Sequence, residues 1–384
     1  MINILYLHGS AEQYGADVVL YELLKGLNKE LFKPYVILPI NGPLVMRIAE
    51  LGIDVEIHPY PVARRQYFTP TGIINYLIQY FSAVKYLKKF CDEKDIQIIH
   101  SNTVAVLEGI ALKKMHGIKH VWHLHEMLDK PEVVYRIYSF LIRHFGGNVV
   151  AVSNAVRDHW LNQRKTKLSQ VKVIHNGIDH SRFNPNNEVD YLKKEFGIEE
   201  GETVVGMIGR VNAIKGQDVF VRALEIVIEQ KPNVKAILIG GVFEGQEWRF
   251  ERLKKRINDS RFNSNFVIRD YRNDIANIHC LFDLLIFPSI QNDSFSTVLI
   301  EAMASGKAIV SFKNGGVVEM IEDGLNGLYA DFGNAQSLAE KILLLLEDEN
   351  LRATMGRNNV EKQHRYFSAA SYCNNFCEFY QGII

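Results

Sequence analysis

The sequence predicts an α/β protein of two doubly wound domains, each a parallel sheet with helices on both faces. Three observations lead there. Short apolar runs bounded by turn residues alternate with longer amphipathic stretches, the rhythm of βα units. That rhythm breaks once, in the polar stretch 176–187, and then resumes. And 384 residues, 47% hydrophobic and 23% charged, hold enough apolar surface for two cores of ordinary soluble make-up.

In the first half, the apolar runs 2–7, 35–38, 96–100, 119–124 and 149–153 read as buried strands, with helical patterns between them. In the second half, runs at 203–208, 236–239, 266–268, 284–287 and 308–311 read the same way, separated by helices near 217–230, 247–258 and 297–305. The expected division is residues 1–180, residues 181–365, and a helical tail at 366–384. In open parallel sheets ligands bind outside the carboxyl ends of the strands, so two such domains facing each other would make a cleft with polar loops on both walls.

Composition sets further limits. The chain opens on an apolar run with no basic leader or cleavage site, and it has no run of 18 apolar residues, so a cytoplasmic protein without a spanning helix is expected. The four cysteines suit a reducing compartment; Cys373 and Cys377, one helical turn apart, read as buried thiols. Net charge is zero but uneven: residues 1–175 carry 21 Lys and Arg against 15 Asp and Glu, and the remainder 23 against 29. A basic first half suits either an anionic partner, with peripheral contact at the inner face of a membrane, or an ordinary solvated surface. Arg64 to Phe68 and the helix-like stretch 73–90 interleave basic and aromatic residues, which fits a helix lying among lipid headgroups or one whose apolar face covers the sheet. Nothing in the sequence points to nucleic acid.

The most informative element is the segment 288–306, where Asp293 and Glu301 stand eight residues apart across a loop-to-helix junction. Ser294 and Ser296 can cap that helix and Gly306 can end it, so the first amides near Thr297 point toward Asp293 and favour an anion. Carboxylates accept hydrogen bonds from sugar or ribose hydroxyls, whereas a helix N-terminus suits phosphate. Together they describe a sugar nucleotide. Upstream, a strand leads through Gly209-Arg210 and Lys215-Gly216 into a helix. Arg210 can fork onto two phosphate oxygens and Lys215 can add a point charge, although a basic loop of this kind also serves as plain solvated surface.

In this pattern the chain resembles the retaining glycosyltransferases of the GT-B fold, in the large group called glycosyltransferase family 4, whose fold is two Rossmann-like domains. The resemblance rests on Gly209-Arg210, Lys215-Gly216, the run Asp283 to Ser289, the segment Asp293 to Gly306, Gly315-Gly316 and Glu319. Weaker matches in the first half are Gly15-Ala16-Asp17, His125-Glu126, Ser153 and His175 to Asp179.

The resemblance implies an acceptor-binding first domain, a donor-binding second domain and a tail that returns to brace the first. It also implies that Arg210 and Lys215 hold the diphosphate, that Glu301 accepts from the ribose, and that Asp293 meets the donor sugar. Backbone amides of Ser294, Phe295, Ser296 and Thr297 would touch sugar and phosphate. His125 would face the transferred sugar near the reacting carbon, and Gly15 would lie in the first strand-to-helix loop, under the acceptor or diphosphate. Two positions depart from the family pattern: Asp293 stands where Glu is usual and Ser296 where Gly is usual.

His116, His120, His123 and His125 lie close in sequence, but their spacing matches no common zinc pattern, and no Asp-x-Asp pair occurs, so no metal is expected. The expected reaction is a retaining, metal-independent hexosyl transfer from a nucleoside diphosphate sugar to an acceptor hydroxyl. A UDP-sugar is favoured over GDP-mannose, and the acceptor is a saccharide, free or lipid-linked, in cell-surface polysaccharide or glycolipid synthesis. A sugar-nucleotide 2-epimerase and a silent sugar-nucleotide-binding subunit are the alternatives.

Overall fold

The computed structural model describes residues 1–128, 130–161 and 171–384, with the side chains of Arg65, Met115 and His116 outside the described set. The chain forms two compact units, residues 1–177 with 369–384 and residues 178–368.

The first unit carries seven parallel strands: β1 (Ile2–Leu7), β2 (Phe32–Leu38), β3 (Asp54–Ile57), β4 (Ile98–Ser101), β5 (Lys119–Leu124), β6 (Asn148–Ala151) and β7 (Val171–Val173). Their order is β3-β2-β1-β4-β5-β6-β7, so the winding direction reverses between β1 and β4, where Tyr6 pairs with His100 and Leu7 with Ser101. Strand β2 starts earlier than its sequence suggests because Pro34 is tolerated. At Phe32 to Pro34 only β1 lies alongside, and β3 pairs from Tyr35 onward, so the missing proline N–H costs no ladder bond on the open side.

The central strands are buried on both faces, as parallel strands covered by helices must be. One face packs Ile4, Tyr6, Val36, Val121 and Val150 with the helix Gly15–Gly26 and with Tyr372, Cys373, Phe376 and Tyr380 of the terminal helix Ala369–Ile383. That tail helix is an integral part of this unit: Tyr380 Oη lies 2.6 Å from His100 Nδ1 and 3.2 Å from Tyr6 Oη. The other face packs Leu5, Leu7, Ile37 and Ile99 beneath Ala83, Val84, Leu87 and Cys91 of the helix Pro70–Glu93. That long helix therefore covers the sheet through its second half only. Phe68 before it, and Ile73, Ile74, Leu77, Ile78 and Phe81 in its first half, are exposed.

The second unit has six parallel strands: β8 (Thr203–Ile208), β9 (Val234–Ile239), β10 (Phe266–Arg269), β11 (Leu284–Phe287), β12 (Ala308–Phe312) and β13 (Leu328–Ala330). The order β10-β9-β8-β11-β12-β13 reverses between β8 and β11, registered through Val205 with Leu284 and Gly206 with Leu285. Helices Gln217–Gln230 and Ala335–Glu347 supply Val219 to Val227 and Leu338 to Leu345 to its core. Among the described residues no helix is long and apolar enough to cross a membrane.

Candidate active site

In the second unit the reversal point gathers three loops. Strand β8 runs into Gly209 to Gly216, β11 into Pro288 to Asp293, and β12 into Lys313 to Gly316. Their stitching is specific. Asn212 Oδ1 accepts from the amides of Ile214 and Lys215, both at 3.0 Å, which curls the basic loop. The Ile290 amide donates to Ile214 O at 2.8 Å, Ser289 Oγ donates to the same carbonyl at 3.1 Å, and Asn314 Nδ2 donates to Ser289 O at 2.7 Å.

Two glycines allow the close approach. Gly216, at φ +80°, would place a Cβ 2.0 Å from Pro288 O, and Gly315, at φ +44°, would place one 2.2 Å from Asp293 O. Both combine a left-handed backbone with no room for a side chain. The neighbouring Gly316 amide then donates to Asp293 O at 2.7 Å, so the Asp293 backbone is fixed from behind.

On this frame Lys215 Nζ donates to Asp293 Oδ2 at 2.6 Å, with the side chains 23% and 13% exposed. The sequence places these two residues on different parts of a ligand; in the structure they hold each other. An ammonium has three donors, so engagement with Asp293 leaves capacity for phosphate oxygens. Arg210, on the same loop, lays its guanidinium over the Phe243 ring, 3.5 Å from the centroid. Such stacking uses the face of the cation, whereas a guanidinium donates its hydrogen bonds in its own plane.

The helix Thr297–Ala304 begins one turn beyond Asp293, with Ser296 as its N-cap in extended backbone. Of the two serines expected to cap it, Ser296 makes no capping bond, so its side chain does not consume the first-turn amides that a phosphate would use. The helix ends as predicted near Gly306, at φ +69°, with Lys307 N donating to Ala302 O. Phe295 is buried and packs edge-on against Phe367, so its side chain anchors the loop and only its backbone can face a ligand.

Glu301 sits one turn into the helix, nearly buried, with Oε2 3.1 Å from His279 Nε2. That histidine is fully buried against Phe183 and Phe282. It orients the carboxylate through Oε2, and Oε1 takes no part in that contact. Sequence reasoning missed His279, which no motif marks.

In the first unit, the corresponding reversal point collects a second polar cluster. His125 follows β5 and is 9% exposed; its Nε2 lies 3.1 Å from Asn102 Oδ1 and 3.2 Å from His123 Nδ1. Burial, with His8 adding to it, drives the His125 imidazole down to about 3, so the ring is neutral. With Nε2–H assigned as donor to Asn102, Nδ1 is its acceptor.

Asn102 also reaches His8, whose Nε2 is 3.0 Å from Asp17 Oδ1. Burial raises the Asp17 carboxyl, but His8, Ser10 and the Tyr14 amide outweigh it and hold Asp17 below the usual range. Gly15 is the first residue of its helix, beside this acid, and Tyr14 is the N-cap that the Asp17 carboxylate closes at 3.0 Å. Glu126 accepts from Thr103 Oγ1 and from the amides of Val104 and His125, fixing the turn that carries His125. His8 and Asn102 were not singled out by sequence, although their place at the carboxyl ends of β1 and β4 is where such sheets bind ligands. Among the described residues no group of three or more His, Cys, Asp and Glu side chains is arranged to hold a metal ion.

Two parallel-sheet Rossmann-like units, with loops of this kind at the reversal points, are the GT-B architecture. A family model described as "Glycosyl transferases group 1" matches residues 189–362, and one described as "Glycosyltransferase Family 4" matches residues 14–182. The chain belongs to glycosyltransferase family 4.

Among its relatives, a D-inositol 3-phosphate glycosyltransferase of Corynebacterium kroppenstedtii is 24% identical over 77% of this chain and 69% of its own length. The N-acetyl-alpha-D-glucosaminyl L-malate synthase of Bacillus anthracis is 27% identical over 64% and 62%. Among solved structures, Anabaena HepE in complex with UDP and glucose superimposes with a TM-score of 0.86 at 24% identity, covering 99% of this chain and all of that one. Sucrose-phosphate synthase from Thermosynechococcus elongatus gives 0.78 at 17%, covering 100% and 99%.

Proposed function

We propose that this glycosyltransferase moves a hexosyl group, with retention of configuration and without a metal, from a nucleoside diphosphate sugar to an acceptor hydroxyl. UDP is favoured as the carrier, consistent with the UDP and UDP-glucose complexes of HepE. The observation that carries the reading is the Lys215–Asp293 pair held at the loop junction, on the same loops as Arg210 and the N-terminus of the helix Thr297–Ala304.

In this reading the diphosphate takes donors from Arg210, Lys215 and the amides of Ser294 to Thr297. Glu301 Oε1 accepts from the ribose, and Asp293 accepts from the sugar. The bond from the anomeric carbon to the diphosphate oxygen breaks, the acceptor oxygen forms its bond on the same face, and its proton passes to the departing phosphate oxygen. Fixed cations and amides stabilise the charge that develops there, and no metal is required. Neutral His125 serves as a hydrogen-bonding partner of the transferred sugar and not as a charged acid. The acceptor is a saccharide, soluble or lipid-linked, of a cell-surface polysaccharide or glycolipid made at the cytoplasmic side of the membrane.

Incubation with UDP-glucose, UDP-N-acetylglucosamine and GDP-mannose in excess chelator tests the reading. Turnover of a UDP-sugar with α-configured product supports it. Inversion at the sugar's second carbon would identify an epimerase, and binding without turnover a silent subunit; either outcome overturns it.

A further inference from the structure

The helix Pro70–Glu93 divides lengthwise. Its inner face carries Ala83, Val84, Leu87 and Cys91 onto the sheet, with Tyr80 Oη donating to Leu107 O at 3.2 Å. At a period of 3.6 residues, Ile74, Ile78 and Phe81 fall on the opposite face with Lys85 and Lys89 continuing the stripe, while Leu77 and Lys88 lie on its flank. All four apolar residues are 45% to 66% exposed. Helix Glu132–Phe145 repeats the design: Val133, Ile137 and Phe140 are 52% to 66% exposed along one stripe, which ends at exposed His144 with Arg136 beside it.

The two helices are neighbours. Tyr76 and Tyr80 of the first and Tyr138 of the second, all on inner faces, converge on buried Glu108 at the start of the helix Glu108–His116. Between Glu56 and Asp92 the sequence has five Lys and Arg and no acidic residue. The acids beside the lysines are Asp92 with Lys88 and Glu93 with Lys89, at 3.7 and 3.5 Å in exposed positions where such pairs are weak, and Glu56, which accepts from Tyr86 Oη. Glu132 pairs with Arg136 on the second helix.

We propose that these two outer faces form a docking surface for an anionic lipid bilayer, with the apolar stripes entering the headgroup boundary and the lysines meeting lipid phosphates. An apolar stripe that turns basic along one helix suits a lipid surface, where long lysine stems let the ammonium stay among headgroups. It does not suit a second copy of the chain. A parallel pairing sets Lys85, Lys88 and Lys89 against themselves, and an antiparallel one sets them against Ile74 and Ile78. The biological purpose rests on the transferase reading with a membrane-presented acceptor, but the binding is measured without turnover.

The test is sedimentation of the full chain with vesicles of phosphatidylcholine alone and of phosphatidylcholine with one part in three phosphatidylglycerol, at low and high salt. The expected result is binding to the anionic vesicles, weakened by salt and reduced at least about tenfold in an Ile78→Glu/Phe81→Glu variant. Lys85→Gln is expected to lower it about fivefold on the anionic vesicles. Both variants alter exposed side chains, so turnover with a soluble acceptor and thermal unfolding stay at wild-type level. Equal binding of variant and wild type, no binding to anionic vesicles, or equal binding to neutral ones would overturn the proposal. So would a dimer, seen by sedimentation velocity, that the double variant abolishes. Loss of turnover with vesicle binding intact would instead strike the transferase reading alone.

Discussion

Replacing Lys215 by Met removes an ammonium that the structure shows 2.6 Å from Asp293 Oδ2. The partners are 23% and 13% exposed, so the pair stands between a solvated surface pair, worth about 0–1 kcal/mol, and a buried one whose disruption costs about 3–5 kcal/mol. A hydrogen bond to a charged group contributes about 1.5–3 kcal/mol net, and partial exposure of both partners lowers it, so a coupling of about 1–2 kcal/mol is expected. The assay is a double-mutant cycle of Lys215→Met, Asp293→Asn and the pair together, read by urea unfolding.

Turnover reads the second role of the same residue. Lys215→Met should lower kcat by about a hundred- to a thousandfold, the usual loss when one fixed donor to a developing oxyanion is removed. A strictly additive cycle would show that the pair does not exist in solution. Near-normal turnover in folded Lys215→Met would remove the ammonium from the diphosphate site and refute the argument built on it.

Three further outcomes follow from the geometry. Glu301→Ala should weaken UDP affinity by about tenfold or more, since a buried His279 loses its partner and the ribose its acceptor; calorimetric titration showing unchanged affinity would exclude Glu301 from the nucleotide site. Asp293→Glu should change the ratio of turnover between donor sugars more than it changes UDP binding, because one methylene moves the sugar-facing oxygens and leaves the amides in place; competition kinetics with paired donors read this.

Glu108 supplies the pH dependence. Burial raises its carboxyl to about 8 from 4.5, outweighing the backbone amides of Glu108 and Leu107 that favour the charged form, so the folded chain keeps it protonated at neutral pH. The unfolded chain ionises it above about 4.5, so its contribution is complete below that pH and is lost as pH rises through about 8. At about 1.36 kcal/mol per pH unit the loss is at most about 5 kcal/mol, and Glu108→Gln should flatten urea-unfolding stability across that window. An unchanged pH slope would contradict it.

The sequence made the two sheets, the reversal-point loops and the Asp293–Glu301 element legible because each is local: apolar runs, a glycine stop and a loop-to-helix spacing all lie within a few residues. Short strands at the edges escaped. Asp54–Ile57 is largely exposed and Leu328–Ala330 spans three residues, so neither shows a buried apolar run. Contacts across long sequence separations escaped as well. His279 meets Glu301 only because the helix Ile275–Leu281 packs behind its partner, and Lys215 reaches Asp293 across 78 residues.

The Ser296 cap was expected from residue type, but the serine stands at the right position without bonding there. For the long helix Pro70–Glu93, periodicity found the amphipathic stripe and could not tell which part of it meets the sheet; packing shows that only the second half does.

A structure determined with an intact UDP-sugar tests the donor assignment most directly. The expected result is a diphosphate oxygen within hydrogen-bond distance of Lys215 Nζ and of the Arg210 guanidinium, an oxygen at the first turn of the helix Thr297–Ala304, and a ribose hydroxyl on Glu301 Oε1. A nucleotide seated elsewhere, with Lys215 still closed on Asp293 and Arg210 turned to solvent, would contradict it.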